Sequence, residues 1–153
     1  MFDVFGSNVN PVVNYEGVSK NVMDVGFQEE GRWMYTGGED GTVKIWDLGM
    51  RNLACQRMYN AHSPVTSVRL HPNQKDLVIG DQNGEVHVWD LRSDVCKKYE
   101  TQPEASVQSV AVDPQGEELK FRIHMNLFFI SSPLVPYTIS MYICHIPTII
   151  LRC

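Results

Sequence analysis

The feature that most narrows the fold is a repeat. "TGGEDGTVKIWDL" at residues 36–48 returns as "IGDQNGEVHVWDL" at 79–91, with Gly41, Val43, Trp46, Asp47 and Leu48 each matched by the same residue type 43 positions on. Self-similarity at a period of this length means stacked supersecondary units, none of which buries its apolar face alone. A weaker echo stands near the start, where Phe2-Asp3-Val4 precedes Trp46-Asp47-Leu48 by 44 residues, so the sequence reads as entering partway through a repeat.

Upstream of each Trp-Asp pair lies a second shared pattern. It reads Val22, Val25, Phe27 before "QEEG", then Val65, Val68, Leu70 before "HPNQ", then Val107, Val110, Val112 before "DPQG". Alternation within Val25-Gly26-Phe27 and Val68-Arg69-Leu70 has the period of a strand, and the Gly, Pro and Asn between runs supply turns. The expected strands are 21–27, 32–37, 42–46 and 53–59 in the first full unit and 64–70, 76–80, 85–90 and 95–100 in the second. Each unit is a four-stranded antiparallel meander, and the chain is all-β.

The turn between the second and third strands needs a tight reversal. Asp40-Gly41 and Asn83-Gly84 are pairs that tolerate positive φ in a two-residue hairpin. Trp46 and Trp89, closing the third strands, give a small sheet a large apolar contact, and a buried indole N–H needs an acceptor.

Register, turn chemistry and the Trp-Asp pair together resemble the WD-repeat β-propeller family, with Asp40, Gly41, Trp46, Asp47, Asn83, Gly84, Trp89 and Asp90 at its structural positions. The resemblance implies a hydroxyl partner for each Trp, linked onward to a His and to the Asp of the turn. Thr36, Asp40 and Trp46 supply three members in the first unit, where Lys20-Asn21 offers no His. In the second, Asn83 replaces the Asp, Ile79 stands where the hydroxyl belongs and His62 is one residue closer to Val65 than usual, so an incomplete network is expected.

Within that family, "GRWMYTGGED", "HPNQ" and "GDQNG", together with the opening "FDVFGSNVNPVVNYEG", are similar to the G-protein-β-like propeller subunits of the TOR kinase complexes over about residues 1–118. The resemblance implies a seven-bladed propeller with no catalysis of its own. It further implies a cytoplasmic scaffold that binds and stabilises the TOR kinase domain in nutrient and growth signalling, with TOR kinase and its complex subunits as partners. On this reading 1–19 is the end of a preceding blade, 20–60 and 61–103 are blades, 104–120 begins a further one, and 121–153 is a non-family apolar tail. The expected architecture is a partial propeller of about two full blades plus fragments of two others, ending in an irregular apolar tail.

Composition limits the function further. A formal net charge of −5 argues against non-specific nucleic-acid binding, which depends on Lys and Arg neutralising phosphates. Cys55, Cys96, Cys144 and Cys153 have no C-x-x-C spacing, so no zinc site is expected, and without an apparent signal peptide they read as free thiols. No cofactor and no catalytic residue is expected. His62 and His71 lack a paired Cys, a carboxylate cluster or a Ser nucleophile motif, and Asp24, Asp40, Asp47, Asp81 and Asp90 are accounted for by turns and strand ends.

Rims of such blades present loops from a rigid scaffold. In a four-stranded meander the turn between strands two and three shares an end with the connection into the next unit, which groups Asn21, Glu39, Ser63, Gln82 and Ser106 as the candidate partner face. From periodicity alone the chain is a propeller piece with a protein-binding surface; the resemblance implies a TOR complex, and the alternative is a generic adaptor of another complex.

The pattern stops near Lys120. Both complete units place Trp fifteen positions after the residue equivalent to Gly116, and there the chain has Ser131-Ser132. Three readings compete for 121–153. Leu127 to Leu151 is long enough for a membrane helix, which would tether the chain, but Pro133, Pro136 and Pro147 interrupt it. Core strands suit Phe128–Ile130 and Ile149–Leu151 but lack polar alternation. A non-family C-terminus fits the abrupt shift in composition. Two full blades cannot close a ring, so faces normally covered by neighbours are expected to be exposed and the isolated chain to be marginal.

Overall fold

The computed structural model describes residues 14–49, 54–101, 105–116, 118–125, 140–142 and 148–152; the echo at Phe2-Asp3-Val4 and the strand reading of Phe128–Ile130 lie outside them. Two four-stranded antiparallel sheets follow the repeat in chain order. The first is β1 (Val22–Phe27), β2 (Trp33–Gly38), β3 (Thr42–Asp47) and β4 (Arg57–Asn60). The second is β5 (Val65–Leu70), β6 (Asp76–Asp81), β7 (Glu85–Asp90) and β8 (Cys96–Glu100). The third contains β9 (Ala105–Val112), β10 (Glu118–Met125), β11 (Ser140–Tyr142) and β12 (Thr148–Arg152), in the order β9-β10-β12-β11.

The third sheet differs from the expected loss of register at Lys120. β10 continues to Met125, pairing Lys120 with Ala111 and Phe121 with Val110, because Leu119, Phe121 and Ile123 are buried while Lys120 and Arg122 between them are exposed. That is a strand period, and it holds without the family's motif residues. The apolar stretch after it contributes β12, antiparallel to β10 with Leu119 opposite Leu151, and β11 pairs with β12. Among the described residues no helix is long and apolar enough to cross a membrane.

Burial divides the strands by position. β2 and β6 are buried on both faces along most of their length, whereas β4 alternates half-buried and exposed residues. The hydrophobic cores lie between sheets. Leu77 and Ile79 of β6 join Tyr35, Val43 and Ile45 of the first sheet, while Val78 between them joins Val107, Phe121 and Ile123 of the third. Successive side chains of one strand thus serve two interfaces.

The two interfaces repeat the same construction. A Cβ on Gly37 of β2 would stand 2.6 Å from Val68 Cγ2 and 2.7 Å from Val65 Cγ1. The residue 43 positions on, Gly80 of β6, is likewise closed in by Val107 and by Val110, whose Cγ2 would be 3.0 Å away. Only glycine lets the second strand of one sheet approach the first strand of the next so closely. A polar residue on each first strand then ties the sheets. Asp24 Oδ2 accepts from Val68 N at 2.9 Å and Ser67 Oγ at 3.0 Å, and Ser67 Oγ accepts from Val110 N at 3.3 Å. At the outer side, Tyr59 stacks on Trp89 with ring centroids 5.6 Å apart, and Tyr15 meets Trp46 edge-on at 5.6 Å.

Candidate functional site

The β2–β3 and β6–β7 hairpins define one end of the stack. Gly41 and Gly84 have φ of 79° and 80°, while Asp40 and Asn83 are not in the left-handed region. The loop therefore holds three residues, a type I turn followed by a left-handed glycine, rather than the expected two-residue hairpin. Gly37 still pairs with Val43 and Gly80 with Val86, so the register of the strands is as expected.

Beside these hairpins the chain enters the next unit. Asn21 Nδ2 donates to Glu39 Oε2 at 3.1 Å and Glu39 N donates to Asn21 O at 2.9 Å. Gln82 N donates to Pro64 O at 3.0 Å, and a Cβ on Gly84 would run into Ala105 O beside Ser106. Asn21, Glu39, Gln82 and Ser106 therefore gather at one end, with Asn21 and Gln82 exposed and Glu39 and Ser106 half-buried. Ser63 departs from this pattern. It is 4% exposed, set against Gly41, and its Oγ has no hydrogen-bond partner among the described residues, so it lies beneath the face and is not on it.

The residues at WD positions hold this end and the opposite one rigid. Trp46 Nε1 donates to Thr36 Oγ1 at 3.0 Å inside the core, but Asp40 does not join them. It accepts from Thr42 N, Thr42 Oγ1, Lys44 Nζ and Ser19 Oγ. Burial alone would raise the Asp40 pKa; the bonds from Thr42, Lys44 and Ser19 outweigh it and hold the carboxyl well below the usual carboxylate range. In the second unit Ile79 offers no hydroxyl, and Trp89 Nε1 donates instead to Asp94 Oδ1 at 2.9 Å. Asp94, at φ 62°, also receives Arg57 Nη2 at 2.7 Å, and the Arg57 guanidinium lies 5.2 Å above the Trp89 ring. Asp90 folds the loop after it by accepting from Arg92 N and from Ser93 Oγ, both at 2.7 Å. Asp47 accepts from Gly49 N at 2.7 Å, and Asn83 is an exposed hairpin residue.

Two of the aspartates attributed to turns and strand ends do other work. Asp24 ties β1 to β5, accepting also from Arg69 Nη1 at 2.6 Å. Asp81 is fully buried beside His87, whose Nε2 is 3.3 Å from Asp81 Oδ2 and 3.5 Å from Glu85 Oε2, with Nδ1 3.1 Å from Tyr59 Oη. Burial would lower the His87 pKa; hydrogen bonding to Asp81 and Cys96 overcomes it and raises the pKa to about 9. One ligand atom from each of Asp81, Glu85 and His87 falls within 4.8 Å of the others, a spacing a metal could use, but as found the group is closed as an ion pair. His87 stands 43 residues after Lys44, so both units place a buried cation on the third strand against an acid, Asp40 in one and Asp81 in the other.

The two histidines weighed for chemistry are held in turns. His62 is exposed at φ 63° with its N–H on Asn60 Oδ1 at 2.8 Å. His71 Nδ1 accepts from Asn73 N at 3.2 Å, which leaves Nε2–H to donate to Gly116 O at 3.1 Å and tie the second sheet to the third. The end away from the hairpins carries a cleft that no repeat position announces, about 370 Å³ between the first two sheets, lined by Trp33, Ile45, Asp47, Arg57, Gln74 and Leu91.

Four-stranded meanders packed face to face, with Trp-Asp closing the third strand, define a propeller-type repeat protein, and the family described as "WD domain, G-beta repeat" matches residues 9–47 and 53–90. The chain belongs to the WD-repeat family. Among curated relatives it is 52% identical over 116 residues to the mouse "Target of rapamycin complex subunit LST8", covering 76% of this chain and 36% of that protein. It is 41% identical over 119 residues to the Drosophila melanogaster "Protein LST8 homolog" and 40% identical over 121 residues to the Schizosaccharomyces pombe "Target of rapamycin complex subunit wat1", covering 78% of this chain and 38% of each. The chain thus spans little more than a third of the length of these relatives.

Proposed function

We propose that the chain is a non-catalytic adaptor of a TOR kinase complex in the cytoplasm, binding the kinase domain and stabilising it. The observation that carries this reading is the 52% identity to a TOR complex subunit over a stretch of 116 residues, far more than the Trp-Asp signature demands. The blades at 20–60 and 61–103 are its rigid part, and the hairpin end formed by Asn21, Glu39, Gln82 and Ser106 is the contact face. The backbones of Asn21, Glu39 and Gln82 are fixed by interlocked turns and that of Ser106 by pairing with β10, an arrangement suited to recognition without reordering on binding.

Co-purification of the tagged full chain with TOR kinase from its source cells tests the proposal. Recovery of the kinase, reduced by N21A/E39A/Q82A, is expected. A second reading, an adaptor for a different complex, rests on the WD-repeat match over residues 9–47 and 53–90, which by itself specifies no partner. Recovery of other proteins without TOR kinase, by folded chain, would establish that reading instead.

A further inference from the structure

The two flanks of the sheet stack are chemically unequal. On the β1 flank, Val22, Val25 and Phe27 are 47%, 51% and 53% exposed. Their counterparts in the next sheet, Val65 and Val68, are fully buried against Gly37, and those in the third, Val107 and Val110, against Gly80. The repeat therefore says what covers such a strand: the second strand of another blade, bearing glycine. An aromatic contact already occupies the outer side of this flank, where Tyr15 meets Trp46 at the same 5.6 Å centroid distance as Tyr59 meets Trp89, edge-on where Tyr59 stacks.

The β10 flank carries the opposite chemistry. Ser67 pairs with Gly80 in the second sheet, and in the same register Ser109 pairs with Arg122 in the third, with the same irregularity one step further on. Arg122 thus stands in the place of Gly37 and Gly80. Lys120, exposed and 3.3 Å from Glu118 Oε2, stands in the place of Val78, which is buried. Where a Cβ alone would collide with the incoming valines, a guanidinium cannot be accommodated, and an approaching blade would have to strip water from two cations.

We infer that the stack accepts a further blade on one flank only. The β1 flank binds a propeller blade that presents glycine on its second strand, and Arg122 with Lys120 bars any blade from the β10 flank. One consequence is that a second copy of the chain cannot add head to tail, since the β10 flank it would offer to β1 carries Arg122. Without these two side chains the stack would have complementary ends and assemble without closure, as heterologous interfaces do.

Sedimentation of the purified full chain tests this. K120V/R122G is expected to gain a weight-average mass that climbs with concentration, and V25K added to that variant is expected to reverse the gain. A folded K120V/R122G whose mass matches the wild type overturns the inference, as does a wild type that itself assembles and is dispersed by V25K. Should K120V/R122G not fold, the converse substitution V78K/G80R decides. It is expected to abolish amide-exchange protection at Val110 while that at Val68 persists, and protection retained at Val110 refutes the barrier.

Discussion

Replacing Gly37 by Ala probes the interface on which the stack depends. The new methyl carbon would stand 2.6 Å from Val68 Cγ2 and 2.7 Å from Val65 Cγ1, against an ordinary carbon contact of about 3.5–4.0 Å. Both valines are fully buried and cannot rotate away, so the sheets must part by about 1 Å, at a cost of about 1–3 kcal/mol. V65A and V68A should each cost about 2 kcal/mol by themselves, from lost burial and the cavity left behind. Together with G37A, either is expected to cost at least about 1 kcal/mol less, because it removes one of the two collisions. Urea unfolding midpoints at unchanged slope report these values. Strict additivity of G37A with both valine variants would mean that β2 and β5 do not meet as described.

Other consequences can be measured in the same way. D24A, which leaves Val68 N and Ser67 Oγ without their acceptor, should cost about 2 kcal/mol and abolish exchange protection at Val68, which D24A with intact protection would contradict. T36V strands the buried Trp46 N–H and should cost about 1–3 kcal/mol, whereas D94A, acting on an exposed acceptor of Trp89, should shift the unfolding midpoint less. His87 has a folded-state pKa of about 9 against an ordinary 6.5, so its contribution is complete below pH 6.5 and is lost as pH rises through 9. Stability should fall by up to about 1.4 kcal/mol per pH unit across that window, and H87Q should flatten the profile; an equally steep profile in H87Q would assign the loss to another group.

Much of the fold could be read from the repeat, because period-2 alternation and the position of the turns are local properties of the chain. β1, β3, β5 and β7 lie within a residue of their expected ends. β4 begins at Arg57 and not at residue 53, since an outer strand needs only its alternating half-buried Arg57 and Tyr59 to pair with β3. Trp89 finds Asp94 through a left-handed turn, and no residue type at that place announces it. β10 has no Trp-Asp pair following it to mark it as part of a repeat, yet Leu119, Phe121 and Ile123 alternate with Lys120 and Arg122 in the sequence itself. Asp24 and Ser67 become visible once the repeats are superposed, as the one polar position shared by two valine-bearing strands. Ser63 could not be told from its neighbours, because its burial comes from the adjacent sheet closing over it through Gly41.

Binding of the purified full chain to purified TOR kinase domain, measured for wild type and for N21A/E39A/Q82A, tests the functional account most directly. The account predicts saturable binding by the wild type and a loss of at least about tenfold in the variant, about 1.4 kcal/mol, with its unfolding midpoint unchanged. Equal affinity of the two proteins, or no binding by folded wild type, would contradict it.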